Sequence, residues 1–294
     1  MPDPLATSAR GRLISMALMT AELVRRQLRL RIRRQAQRGG AALAWALRRM
    51  HRSADRLGVT VVIVNWNSLP FARVTLEAVR SMSPPGTQVL VVDNGSSDGS
   101  VNYLRTLPGV RVIRLPTNVG HGAALDVGAA LVETEFMAVL DVDAFPISNS
   151  WLDEPLEALR SGADVAGAFV YRNFIHPCFL VTRTALIHDL GLTFRPAGHK
   201  RGRLRRAPLY MDTGEALSHR IVTHRGGGHR LHRIGVTEVI GDRRAASVFG
   251  GLVYHNQGAT WGPNMAAAMV EWEAATSRFH PQLVVSGAGG GETA

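Results

Sequence analysis

Asp141-Val142-Asp143 closes an apolar run, Phe136–Leu140, that reads as a buried strand. Alternation along a strand puts both carboxylates at its rim, with Val142 pointing the other way. Two hard oxygen ligands with water in reach suit Mg²⁺ or Mn²⁺, and such an ion commonly also takes phosphate oxygens. Two turn or cap aspartates would give the same letters. The run Asp93-Asn94-Gly95-Ser96-Ser97-Asp98-Gly99-Ser100 follows another apolar stretch, Gln88–Val92. A carboxylate there suits a ribose hydroxyl or a base N–H, which assigns the ligand contact to Asp93. Asp98-Gly99-Ser100 has the composition of a turn and helix cap. Asn118-Val119-Gly120-His121-Gly122-Ala123-Ala124 leads into a helix of small residues, whose amide-rich start suits a diphosphate. As a dinucleotide fingerprint it fails: Leu125 stands where the third glycine belongs, and the motif follows the third strand. A nicotinamide dehydrogenase is therefore disfavoured.

The elements that must carry these residues are short apolar runs separated by helical stretches. Thr60–Val64 is the first, ending at Asn65 and Asn67, with a helix from Ser68-Leu69-Pro70 to about Met82. Gln88–Val92 and Val110–Leu115 follow, then a helix from about His121 to Val132, the run Phe136–Leu140, the helix Leu152–Leu159 and a fifth run, Val165–Val170. Such alternation implies right-handed crossovers and an α/β, doubly wound, mostly parallel sheet. Ligands of such sheets bind beyond the carboxyl ends of the strands. Asn65, Asn67, Asp93, Asn94, Asn118, Asp141 and Asp143 all gather there, so four strand ends are expected to converge on one crevice.

Composition bounds the rest. The 294 residues are 46% hydrophobic and 19% charged, enough for a sizeable core, and the single cysteine excludes a disulfide scaffold. The net charge of +11 is uneven. Residues 1–58 hold thirteen arginines against Asp3, Glu22 and Asp55, a net of +10, which leaves +1 for the remainder. A basic extension on a nearly neutral body argues against a nucleic-acid-binding core and for contact with something anionic. Residues 1–58 form an expected helical extension. Leu13, Ala17, Val24, Leu28 and Ile32 share a face, Gly39–Gly40 is expected to break the helix, and Ala41–Met50 to form a second around Trp45. Over residues 13–52 this pattern fits either an anionic membrane surface or a helix packed on the body or a second subunit. No stretch has the ~20 apolar residues of a transmembrane helix, and the start lacks a signal-peptide cleavage site. The body is thus expected in the cytoplasm, either free or peripheral at the inner membrane face. A main domain is expected over 59–275, with a nucleotide-binding half (59–160) and an acceptor half (161–275), and a flexible tail over 276–294.

Val61-Val62-Ile63-Val64-Asn65-Trp66-Asn67-Ser68, the Asp93–Ser100 run, Asn118-Val119-Gly120 with Ala123-Ala124 and Gly128, and Leu140-Asp141-Val142-Asp143 occur in an order and spacing that resemble glycosyltransferase family 2. The rhamnosyltransferase-like branch, which begins with a similar run, looks closest. The resemblance is strong over about 59–160, loose over 161–260, and absent from the basic arm. It implies a GT-A fold and metal-dependent inverting transfer of a sugar from a UDP- or dTDP-type donor to an acceptor hydroxyl, of a lipid-linked or cell-envelope glycan for example. By the same match, Asp93 holds the base and ribose, Asp141 and Asp143 form the D-x-D pair with Asp143 the direct ligand of Mn²⁺ or Mg²⁺, and His255 completes the metal shell. The general base falls to Asp212, with Glu215 its substitute. Asp212-Thr213-Gly214-Glu215 also fits a capping box, and His255 also fits an ordinary strand histidine.

His219, His224, His229 and His232 lack zinc spacing. With Arg195, Lys200, Arg201, Arg203, Arg205 and Arg206 they suit either a phosphorylated or lipid-linked acceptor or a solvated loop. Two rivals share the sheet: a sugar-phosphate nucleotidyltransferase, whose Gly-rich basic loop after the first strand is missing at Asn65–Ser68, and a non-catalytic nucleotide-sugar-binding protein.

Overall fold

The computed structural model describes residues 28, 31–32, 35–47, 56–169, 174–196, 199–201, 208–241, 246–257 and 265–283. The β-branched run at the start of the body forms β1 (Arg56–Asn65), followed by α1 (Leu69–Met82), β2 (Gln88–Asp93), α2 (Ser100–Thr106), β3 (Val110–Arg114), α3 (His121–Ala129) and β4 (Thr134–Asp141). Next come β5 (Ala144–Pro146), α4 (Asp153–Arg160), β6 (Val165–Phe169), β7 (Ile175–Arg183) and α5 (Thr184–Asp189). The hairpin β8 (His199–Arg201) and β9 (Pro208–Tyr210), helix α6 (Glu215–His224), strands β10 (Leu231–Ile234), β11 (Val236–Ile240), β12 (Ala246–Phe249) and β13 (Val253–Asn256), and α7 (Met265–Phe279) complete it.

The main sheet has seven strands in the order β10-β6-β7-β4-β1-β2-β3, and only β7 runs against the rest. The expected mostly parallel, doubly wound sheet is present. The fifth predicted run, β6, does not lie beside β4, because β7 enters between them antiparallel to both. A second, antiparallel sheet, β11-β12-β13-β5, stands on the chain's return from the D-x-D turn. Side chains alternate across β1 as a sheet covered on both faces requires. Val61 and Ile63 join one buried cluster with Phe71, Leu76 and Trp272, while Val62 and Val64 join another with Leu90, Val127 and Leu180. Close approach of α3 to the sheet depends on Gly128, where a Cβ would lie 2.5 Å from Val62 Cγ1.

Two boundaries differ from expectation. Residues 35–47 are helical straight through Gly39 and Gly40, which do not break the helix. Gly40 is a contact surface instead, since a Cβ there would sit 2.9 Å from Val119 Cβ. Ala44 is buried in the same cluster as Val119, so the helix packs on the body. The boundary set at 275 falls inside α7, after which His280 is fully buried with its Nε2 2.8 Å from the Pro146 carbonyl. Residues 284–294, the whole arm before residue 28, and Arg203, Arg205 and Arg206 lie outside the described residues.

Candidate active site

Parallel pairing sets the register that brings the strand ends together: Asn65 lies opposite Asp93, and Val64 opposite Asp141. Beyond them opens a cleft of about 550 Å³, lined among others by Trp66, Asn94, Asn118, His121, Asp141 and Asp143. A cavity of about 650 Å³ at the opposite, amino ends of β1 and β4 is larger, but it is walled by Leu57, Pro84, Pro85 and Phe136 and receives none of the strand-end motifs.

Asp141 ends β4, and the chain then turns through Val142 and Asp143 into β5. Pairing of β5 with β13 sets Ala144 opposite His255, and the Asn256 amide donates to the Asp143 carbonyl at 2.9 Å. As a result His255 Nε2 lies 3.6 Å from Asp141 Oδ2 and 3.6 Å from Asp143 Oδ1. One ligand atom from each of the three residues falls within 4.8 Å of the others, the only such group among the described residues. Asp141 Oδ1 is buried without a well-aligned hydrogen bond, though His121 Nε2 stands 3.1 Å away as an ion-pair partner. Burial alone would raise the pKa of Asp141, yet His121 and His255 hold it well below the usual carboxylate range. Burial would lower His255, but Cys178 and Asp143 push it well above the ordinary imidazole value. Two carboxylates and an imidazole that converge in this way fit a divalent cation.

Other expected residues have different places. Asp93 is fully buried beneath the cleft, and its oxygens accept the Asn65 Nδ2 amide (3.0 Å) and the Ser96 backbone amide (3.0 Å). Asn65 is fully buried as well, and Asn67, in the left-handed region at φ 48°, accepts from the Ser97 amide at 2.8 Å. The residue that emerges between these two asparagines, in the bend just past the end of β1, is Trp66, 42% exposed in the cleft. Asp93, Asn65 and Asn67 therefore brace the strand-end loops, and Asn94 takes the cleft position given to Asp93.

The loop expected to meet a diphosphate is tied by side chains of its own. Asn94 Oδ1 accepts from the Val119 amide (2.9 Å), Asn118 Oδ1 accepts from the Gly120 amide (2.8 Å), and Asn94 Nδ2 donates to Asn118 Oδ1 (3.2 Å). These two amides serve the loop itself, whereas Asn118, Gly120 and His121 reach the cleft. Asp98 is the cap expected, but for α1: its Oδ2 accepts from the Leu69 amide at 2.9 Å, and its Oδ1 accepts from the Ser100 amide at 3.0 Å. Burial raises its pKa, yet the bonds from Ser100 and Leu69 bring it below the usual value.

Asp212 lines the cleft beside Thr213, His176 and Pro177. Glu215 is 3% exposed, does not line the cleft, and accepts the Asp212 amide at 3.0 Å through Oε2. Half of a capping box is therefore present: the Glu215 side chain reaches back to the Asp212 amide, but Asp212 Oδ1 takes the Thr213 amide, and the helix begins at Glu215 after Gly214. Asp212 stays at the cleft, and Glu215 holds its backbone from beneath. His232 pairs instead with Glu154 at 2.9 Å, and Arg195 with Asp126 at 3.1 Å. The motifs did not point to His176 or Gln257, because neither sits at the end of an apolar run.

The family profile of glycosyl transferase family 2 matches residues 60–224, more than half of the chain. The chain belongs to this family. Among solved structures, a mannosyltransferase from Pyrobaculum calidifontis in complex with GDP-Man and Mn²⁺ is 17% identical, with a TM-score of 0.50, over 84% of this chain and 74% of that one. TarS 1–349 from S. aureus in complex with UDP-GlcNAc is 20% identical, with a TM-score of 0.43, over 47% of this chain and 49% of that one. The glucosyl-3-phosphoglycerate synthase of Mycobacterium tuberculosis is 16% identical, with a TM-score of 0.47, over 62% and 70%. The chain thus spans about half the length of the TarS chain it matches. No curated protein sequence matches it. As a member of family 2 it has the GT-A arrangement in which the D-x-D turn leaves the central sheet and meets a strand of the second sheet.

Proposed function

We propose that the chain transfers a glycosyl group from a nucleoside-diphosphate sugar to an acceptor hydroxyl, with inversion at the anomeric carbon. The observation that carries this reading is the convergence of Asp141, Asp143 and His255 in the cleft that also receives Asp212. Asp141, Asp143 and His255 would hold Mn²⁺ or Mg²⁺; the Pyrobaculum neighbour of the same fold, crystallised with Mn²⁺, supports that choice of ion. Such an ion supplies charge neutralisation for the departing diphosphate. Trp66, exposed in the cleft, offers a flat apolar surface to a base, and Asn94 and Asn118 offer amides and carbonyls to donor hydroxyls. Asp212 accepts the proton of the acceptor hydroxyl as its oxygen attacks the anomeric carbon and the bond to the diphosphate oxygen breaks. Thr213 N–H donates to Asp212 Oδ1 at 2.8 Å, which orients the carboxylate. A UDP- or dTDP-hexose, as in the rhamnosyltransferase-like branch, is the donor that the Val61–Ser68 run favours.

The test is incubation of purified chain with UDP-, dTDP- and GDP-sugars and Mn²⁺ or Mg²⁺, reading donor-induced thermal shift and release of free nucleoside diphosphate. Binding of one donor with diphosphate release supports the proposal. Absence of both for every donor overturns it, and formation of a sugar nucleotide from a sugar phosphate would make the chain a nucleotidyltransferase.

A further inference from the structure

The N-terminal helix has two faces with different surroundings. Ala36, Gly40, Ala44 and Leu47 turn to the body, Gly40 against Val119 of the cleft loop, and Gln37 Nε2 would lie 3.2 Å from a Cβ on Gly120. Leu28, Ile32 and Leu43 turn away and are 57%, 59% and 40% exposed. They follow one another at four and eleven residues, close to whole numbers of helical turns, so they form one stripe. Exposed Arg31 and Arg38 lie two turns apart beside that stripe, and Trp45 is 61% exposed near them. Between Glu22 and Asp55 the sequence holds ten arginines and no acidic residue.

We propose that this outward face docks on a bilayer of anionic phospholipid. An apolar stripe of leucine and isoleucine, flanked by arginines, suits the boundary between headgroups and acyl chains, where the apolar side chains sink and the guanidinium groups meet phosphate. A second copy of the chain is a poorer occupant, because the body carries a net of only +1 and offers the arm no opposing field. Packing on the body and docking on a membrane, alternatives in the sequence, thereby become compatible, because the exposed stripe and the body-facing residues occupy neighbouring sectors of one helix. The helix that meets lipid is also the helix that rests on the Val119-Gly120 loop, which seats the cleft rim near the bilayer. This inference does not depend on the glycosyltransferase reading.

Vesicle flotation of the full chain tests it, with vesicles of phosphatidylcholine alone or with about one-third phosphatidylglycerol, at low salt and at about 0.5 M salt. The chain should float only with the anionic vesicles and largely detach in high salt. The pair Leu28→Asp with Ile32→Asp should weaken binding about tenfold, and Arg31→Glu with Arg38→Glu at least about tenfold. Both pairs should keep the parental thermal midpoint. Absence of vesicle binding, equal binding to neutral vesicles, or binding unchanged by both pairs overturns the proposal. So does a dimer in light scattering that the Leu28→Asp, Ile32→Asp pair dissociates, which would make the face a subunit contact.

Discussion

Under the proposed function, the donor side of the cleft lies along β1, β2 and β4, where neighbouring strands end in register, each in a contiguous motif: Asn65–Ser68, Asp93–Ser100, Asp141–Asp143. On the acceptor side His176 comes from β7, Asp212 from the turn before α6, and His255 from β13 of a different sheet. The donor side carries its own bracing: Asp93, Asn65, Ser96 and Asn67 bond one another beneath the loops. The acceptor side is held by longer-range pairing, such as β5 with β13. A motif can be read in sequence when the same few residues both position and perform the chemistry. Where position comes from a distant strand, the residues themselves give no such signal: Asp212 and His255 were reached through the family resemblance alone, and His176 was not reached at all.

If that contrast is sound, damage to the donor side should remove turnover at its source. Asp143→Asn should lower transfer more than about a thousandfold while the thermal midpoint stays near the parental value, because one ligand charge is lost and the fold is not. Parental activity would leave the two halves without a shared ion. Next in size, Asp212→Asn on the acceptor side should lower kcat about a hundredfold or more, with donor-induced thermal shift intact. Loss of donor binding in that variant would erase the division between the sides.

The ion should bridge the halves in a pH-dependent way. In the ion-free chain the raised pKa of His255 keeps its ring protonated, so the stability this gives is full below the ordinary imidazole range and disappears as pH rises through the raised value. A divalent ion needs the neutral ring and must displace that proton. The thermal shift produced by Mn²⁺ should therefore grow as pH rises from the ordinary imidazole range through the raised value of His255, and His255→Ala should flatten that growth; a shift independent of pH would remove His255 from the ligand set. Smaller effects concern the scaffold. Gly128→Ala should cost about 1–3 kcal/mol by overpacking α3 against Val62, read by chemical denaturation. Asp98→Ala should cost only about 1 kcal/mol, by uncapping α1 at Leu69. A larger loss from Asp98 than from Gly128 would place the loop network, and not helix–sheet contact, in charge of the donor side.

The sheet was legible because apolar β-branched runs such as Val61–Val64 and Val89–Val92 have no exposed face to interrupt them. The D-x-D turn was legible for the same reason, as its polarity stands out at the end of such a run. Asp93 misled because a carboxylate at a strand end looks alike whether it meets a ligand or ties down two loops; burial decides, and burial depends on neighbours. Gly39–Gly40 misled because glycine weakens an isolated helix, yet here lets one lie against Val119.

What the chain's letters determined by themselves is the order of strands and helices, the carboxylates and amides at four strand ends, and a basic arm on a neutral body, since periodicity and local charge are properties of neighbours in sequence. Tertiary structure alone decided that β7 runs antiparallel inside the sheet, that His255 joins Asp141 and Asp143, that Trp66 and Asn94 face the cleft while Asp93 lies under it, and that the arm's helix turns one face to the loop and the other to solvent. These are outcomes of packing between segments far apart in sequence, more than a hundred residues for Asp141 and His255, where burial and register select among side chains whose local sequence is equally suited to either role.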